Sequence, residues 1–427
     1  MIATAGGFRG SASASTLGRR AFVLIMPATL FVKVHVVGEF FLPEALFLLA
    51  LPQLLLDRMR QRLDRLTAIT IVLALAWLWA EVASDIYVTS APHDYLRGWA
   101  NIGFTITNLL AMAILLRGDK DLYVLAGWGL VAGGILEAFI SPSTLDSANL
   151  WKFGLAGPVT TGVALAVSRD WSAARNMVPT AAMAGTAVLN LILGFRSLAG
   201  ICVLAASYLF AQLVARRAEW REERSSIVRV AAVCAVGFVV GFGFFKLYGQ
   251  LAASGSLGPA AQRTYAAEEN PASRLSRFGP FGILLNGRAE DYGSLLAIRD
   301  SPLIGHGSWA HGERYVQAVR DAVAPGPWTQ VDDEIPTHSE LLGAWVDAGV
   351  VGALFWFWLL WLAFRLLSSL YRRVEILSPV LVFISLLLIW DELFSPYGAE
   401  RRLTVPYFVL LIMLGLRRLQ SRGVEAT

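Results

Sequence analysis

Residues 339–366 read SELLGAWVDAGVVGALFWFWLLWLAFRL, and no charge interrupts the run from Ala348 to Phe364. With its flanks, this stretch supplies the roughly 20 apolar residues that a helix needs to cross a bilayer. Comparable apolar windows recur at 21–38, 43–56, 67–88, 99–116, 121–140, 151–168, 178–194, 197–215, 227–248, 377–395 and 403–417. Composition agrees with them. Of 427 residues, 56% are hydrophobic and 16% are charged, and the mean hydropathy is +0.56. A soluble domain carries about 25% charged residues, so this chain lacks the polar surface to cover a globule. A soluble enzyme, a disordered chain and a secreted disulfide scaffold are excluded on that ground. The net charge of +4 is too small to suggest nucleic acid as a partner. The expected fold class is an all-α polytopic membrane protein with about 12 transmembrane helices in the lipid bilayer.

Basic residues set the expected orientation, because cytoplasmic loops are enriched in Lys and Arg. Clusters fall at every second connection: Arg19/Arg20, Arg58/Arg60/Arg62/Arg65, Arg117/Lys120, Arg169/Arg175, Arg216/Arg217/Arg221/Arg224, Arg365/Arg372/Arg373 and Arg417/Arg418/Arg422. Twelve spans put all of them on one side with both termini. The expected organisation is a cytoplasmic tail (1–20), helices one to nine (21–248), an extracytoplasmic loop (249–337), and helices ten to twelve with the C-terminus (338–427). Arg19-Arg20 ahead of the apolar Ala21–Met26 run resembles an export signal. No small-residue cleavage site follows it, so a retained first span is expected. Cys202 and Cys234 lie in apolar runs without metal spacing and are expected to be packing residues.

The 249–337 loop holds seven Arg and ten Asp or Glu, so positive charge does not hold it in the cytoplasm. Gly258-Pro259, Gly279-Pro280, Pro302, Gly305, Gly307 and Pro325-Gly326-Pro327 punctuate it into short elements. Residues 288–300 read as an amphipathic helix ending before Ser301-Pro302. A loop this long with internal structure is usually functional.

Where the loop returns to the membrane, Thr337-His338-Ser339-Glu340 carries the sharpest local signal. Thr337 and Glu340 have capping-box spacing, which would make His338 the first residue of span ten. The positive end of the helix dipole then biases its imidazole toward the neutral form, as a general base requires. Arg196 lies in the short turn between spans seven and eight, and Arg288 opens the amphipathic helix. Their guanidinium forks suit phosphate oxygens. Arg401 and Arg402 fall on the same side and are secondary phosphate candidates. Asp332-Asp333-Glu334 could hold a metal or sugar hydroxyls, or simply partner a helix dipole, and no metal site is assigned. Gly349 with Gly352 leaves a flat strip suited to helix packing. Lys33, His35, Glu44, Glu81, Glu137, Asp347, Asp391 and Glu392 lie in or beside spans, where ionisable residues mark functional cavities.

Taken together, these residues resemble the O-antigen ligase and O-antigen polymerase superfamily. Three pieces occur in that family's order: Arg196-Ser197 at a span-to-span turn; Gly287-Arg288 leading to Pro302-Leu303-Ile304-Gly305-His306-Gly307; and His338-Ser339 leading to Gly349-Val350-Val351-Gly352. The resemblance covers about residues 180–366. It implies a GT-C-type membrane glycosyltransferase in a bacterial cytoplasmic (inner) membrane, with its active site facing the periplasm. The implied donor is a glycan on undecaprenyl pyrophosphate, and the acceptor is a sugar hydroxyl on a glycan or lipid-linked glycan. His338 would be the base of an inverting, metal-independent transfer needing no cofactor, and Arg196 and Arg288 would clamp the pyrophosphate. Ligase and polymerase differ in acceptor, and no residue here separates them. His306 and His311 are unusual for the family's pattern. A transporter or flippase of lipid-linked glycans is the alternative, since twelve spans with both ends inside also suit a carrier.

Overall fold

The structure is a computed structural model that describes residues 14–36, 38–58, 63–169, 176–217, 226–269, 273, 287–323, 333–371 and 375–424. Arg60, Arg62, Arg175, Arg221, Arg224, Arg372, Arg373, Asp332 and the Gly-Pro turns at 279–280 and 325–327 lie outside those residues. The described chain is mostly helical. In order it forms α1 (Ala14–Ala28), the strands β1 (Lys33–His35) and β2 (Glu39–Phe41), α2 (Leu42–Arg58), α3 (Arg65–Val88), α4 (Pro92–Leu116) and α5 (Lys120–Ile140). Then come the short α6 (Thr144–Ala148), a π-helical turn (Leu150–Leu155), α7 (Ala156–Ala166), α8 (Val178–Ile192), α9 (Arg196–Arg217) and α10 (Ser226–Ala253). The loop contributes α11 (Pro259–Glu268), α12 (Glu290–Asp300) and α13 (Glu313–Ala322), and α14 (Glu340–Leu370), α15 (Ser378–Phe394) and α16 (Arg401–Val424) close the chain. Among the described residues six helices, α3, α4, α5, α9, α14 and α16, are long and apolar enough to cross a membrane. By length and composition these helices are consistent with an all-α membrane protein. Leu42–Leu56 and Val178–Ile192 are shorter apolar helices.

Local chemistry sets most of the boundaries. The Asp64 side chain accepts from Thr67 N at the start of α3, and Pro92 sits in the first turn of α4, where a missing N–H costs nothing. The sheath is apolar, and the centre is held by side chains that reach across helices. Tyr407 Oη donates to Tyr123 O (3.0 Å), Asn108 Nδ2 to Arg402 O (2.8 Å), and Trp358 Nε1 to Thr70 Oγ1 (2.8 Å). Lipid gives no hydrophobic drive between helices, so such bonds and close packing hold them together. α16 is the most enclosed of the six long helices.

The basic ends gather. Arg417 pairs with Asp64 (2.6 Å), Arg418 with Glu375 (2.9 Å), and Arg19 Nε donates to Leu115 O (2.9 Å). These contacts bring the α2–α3, α4–α5 and α14–α15 connections to the end of the bundle that holds the last turns of α16. His338, the 33–41 hairpin and the first turn of α16 lie at the other.

Three expected spans differ from the structure. The first was expected over 21–38, but α1 stops at Ala28, just past Pro27; Thr29–Phe31 make a 3-10 turn, and an antiparallel hairpin pairing Lys33 with Phe41 follows. Lys33 is bonded there to Glu137 (2.9 Å), so the polar and β-branched residues after Phe31 form a cap rather than a helix. The sixth, expected over 151–168, begins in the π turn. The tenth is broken: Gly349 has φ 64° and ψ −162°, and the loop segment 302–307 docks into the gap. Val350 N donates to Pro302 O (3.0 Å), while His306 N and Gly307 N donate to Val346 O (2.7 Å) and Asp347 O (3.0 Å). Gly349 thus serves a loop's approach, whereas Gly352 meets Trp77 of α3 in helix packing.

Candidate functional site

The break in α14 decides where His338 belongs. Leu342, Trp345 and Val346 pack with Ala297, Ile298, Tyr315 and Ile335, so the 340–348 half-helix shares the apolar core of the loop elements α12 and α13. Ser308 fastens the same loop to the bundle: its N and Oγ each lie 2.7 Å from an oxygen of Asp85 on α3. His338 therefore stands at the seam between this cap and the membrane helices.

The helix N-cap is Ser339, not Thr337. Ser339 Oγ accepts from Leu342 N (3.1 Å) and donates to Glu392 O on α15 (2.6 Å). Glu340 does not reach back to form the expected capping box, because Arg401 holds it at 2.7 Å. His338 consequently lies one residue outside the cap, on extended chain and half-buried. Burial holds its imidazole below the ordinary histidine range. The Arg288 guanidinium pushes the same way, Glu290 opposes, and Arg401 and Lys152 add to the depression. These neighbours favour the neutral ring, through desolvation first and the Arg288 charge second.

Arg288 stands in the turn before α12. Its Nε donates to Phe394 O (3.1 Å), at the end of α15, and its Nη1 to Gly287 O (2.6 Å). These two bonds fix the orientation of the planar fork. Asp291 accepts from the His338 backbone amide, and burial followed by the Glu290 charge pushes its carboxyl up to about 7, against Arg288. The loop, the histidine and the arginine thus form one connected group.

The other expected residues divide. Arg196 opens α9 after the Gly194 turn, and its guanidinium lies 5.6 Å from the Tyr248 ring. Trp151 Nε1 bonds Asn190 Oδ1 (3.1 Å), which ties the π turn bearing Lys152 to the helix end just before that turn. Arg401 joins the His338 group through Glu340. Arg402 does not: it is 5% exposed and paired with Glu44 at 2.7 Å. That buried ion pair holds the hairpin end to α16, and losing one partner of such a pair typically costs about 3–5 kcal/mol. Asp333 lies 2.8 Å from His311 Nδ1, and Glu334 forms a β-bridge with His311, so both belong to a separate loop cluster with Asp94. The Asp333 carboxylate raises His311 above its usual range. Among the described residues no three His, Cys, Asp or Glu side chains gather as a metal site. His306 packs edge-on against Tyr315 and bonds Ala297 O (2.8 Å), which is a loop-packing role.

No family model, curated protein or solved structure matches this chain.

A neutral imidazole beside an oriented guanidinium, at the end of a helix bundle, can accept a proton next to a bound anion. The sequence does not single out Lys152, nor does it show that Arg401 bridges Glu340 to Asp391. Lys152 sits in an apolar run (Leu150-Trp151-Lys152-Phe153), and a lone lysine there, in a turn that proves to be π-helical, was the available signal.

Proposed function

We propose that this chain is a membrane glycosyltransferase of the O-antigen ligase or polymerase type. In this reading twelve spans place the His338 end on the periplasmic side of a bacterial inner membrane. The donor is a glycan on undecaprenyl pyrophosphate, and the acceptor is a sugar hydroxyl. What carries the proposal is the grouping of His338 with Arg288, joined through Asp291, where the loop cap meets the bundle. His338 takes the proton of the acceptor hydroxyl as that oxygen attacks the anomeric carbon. The bond from that carbon to the pyrophosphate oxygen breaks with inversion, and the electron pair leaves on the pyrophosphate. Arg288 and Arg196 hold the charge that develops there, work that fixed cationic donors do well in a site shielded from water. Lys152 adds a third positive charge at this end. No divalent cation or other cofactor enters the step.

Purified protein in vesicles, given undecaprenyl-pyrophosphate-linked glycan and a glycan acceptor, is expected to move sugar onto the acceptor in the presence of EDTA. Movement of the lipid across the bilayer without transfer would establish the flippase alternative instead. Transfer lost in EDTA and restored by magnesium would replace the arginine clamp with a held cation. Orientation is checked separately. S254C and S421C occupy exposed positions. The first is expected to react with an impermeant thiol reagent on intact cells and the second only after permeabilisation, and equal labelling would overturn the arrangement of spans.

A further inference from the structure

We infer that Arg401 is a positioning residue for His338, tying Glu340 on α14 to Asp391 on α15 and so fixing the extended chain that presents the imidazole. The inference rests on the transfer reading above, in which His338 is the base. Arg401 Nη1 lies 2.7 Å from Glu340 Oε1 and 2.7 Å from Asp391 Oδ2. The two carboxylate side chains are 0% and 13% exposed, so this bridge is enclosed by protein. A nitrogen already shared by two carboxylates on two helices is arranged as a clamp. A phosphate ligand would have to displace an anion in place.

The clamp has company on both sides of the histidine. Ser339 Oγ donates to Glu392 O (2.6 Å), and the His338 amide donates to Asp291. Ser395 Oγ, 3.0 Å from Asp391 Oδ1, steadies the far carboxylate. Three consecutive residues, 338 to 340, are thereby tied to the loop, to α15 and to α16. Displacing a reacting group by 1 Å can cost about a hundredfold in rate, so this backing matters to a base. The groups facing the ring are Arg288, Glu290 and Asp291 from the loop, Lys152 from the π turn and Arg401 from α16. Glu340 opens the helix that follows the histidine, and Asp391 and Glu392 belong to α15.

Arg401→Gln is the test, read three ways on purified full-length protein. Single-turnover transfer is expected to fall about a hundredfold, with binding of undecaprenyl pyrophosphate unchanged. The acid limb of the rate profile, and the His338 ring titration followed by NMR with His338→Gln as the assignment control, should move to higher pH because a neighbouring cation is gone. A fall in undecaprenyl pyrophosphate affinity matching that of Arg288→Lys would make Arg401 a phosphate ligand and overturn the inference, as would an unmoved titration. Arg401→Lys keeps a cation for one carboxylate and is expected to recover part of the rate. If Arg401→Gln does not fold, Arg401→Lys decides by the same split between rate and affinity. A wild-type protein that transfers no sugar would sink the transfer reading alone, since the ring titration still reports whether Arg401 governs His338.

Discussion

His338→Ala is expected to slow single-turnover glycan transfer by about 10²–10⁴-fold, the range a positioned general base supplies, while leaving undecaprenyl pyrophosphate bound. Arg288→Lys should do the converse. It keeps a charge but loses the planar fork and the Nε bond to Phe394 O, so donor affinity should fall about tenfold to a hundredfold, the worth of a charge-assisted hydrogen bond. The pH dependence follows from the same neighbours. Only the neutral imidazole accepts a proton, and burial with Arg288 holds its titration below the ordinary value of 6.5. Activity should thus be full at neutral pH and be lost as pH falls into the acid range. Asp291 titrates near 7 and gains its negative charge as pH rises through that value, beside Arg288. That anion competes with the pyrophosphate, so donor affinity should weaken above pH 7, and Asp291→Asn should remove this limb while sparing the acid one. Wild-type transfer by His338→Ala would end the assignment of the base.

How much of this was legible in the sequence depends on the range of the interaction. Helices bounded by local chemistry were placed within a few residues: α3, α5, α8 and α15 match the apolar windows 67–88, 121–140, 178–194 and 377–395 closely. Asp64, Asp119 and the prolines at the starts of α8 and α15 are local stop signals, and a hydropathy window ends where they occur. The break at Gly349 was invisible because the hydrogen bonds that fill it involve Pro302, His306 and Gly307, each more than forty residues upstream of that glycine. The helix before Pro302 was readable up to its Ser301-Pro302 stop; the fact that its exit loop enters another helix was not. At the site, His338 and Arg288 stood out by residue type and setting. The role of Arg401 did not, because its partners lie on other helices: Glu340 reads locally as a capping-box residue and Asp391 as an isolated charge near a span end. Arg402 shows the same limit in reverse: adjacent in sequence to Arg401, it faces Glu44 and the hairpin.

The interlock at Gly349 supplies the largest stability effect. Gly349 has φ 64° and ψ −162°, a backbone region open in practice only to glycine. A Cβ there would overlap the carbonyl of Leu303, which is backbone and cannot swing aside. Across the contact, Gly305 has φ 88°, and its Cβ would lie 2.5 Å from Asp347 O. Either alanine must push the loop out of the break. The bonds of Val350 N and Trp345 Nε1 to Pro302 O then go, with those from His306 N and Gly307 N to α14. Each is worth about 0.5–1.5 kcal/mol net, and the strained dihedral adds about 1–3 kcal/mol, so a loss on the order of 4 kcal/mol is expected. In a thermal scan in detergent, Gly349→Ala and Gly305→Ala should each unfold well below the wild type, and the double variant little below either single one, because both remove the same contact. Gly343→Ala is the control. It lies in the 340–348 half-helix, where a Cβ meets nothing nearer than Thr337 Oγ1 at 3.7 Å. Alanine there should be neutral or stabilising by about 0.5–1 kcal/mol, from helix propensity alone. If all three variants melt alike, the loop does not hold the break in α14. His338 would then be carried on a continuous helix instead of on the cap that Pro302–Gly307 locks to it.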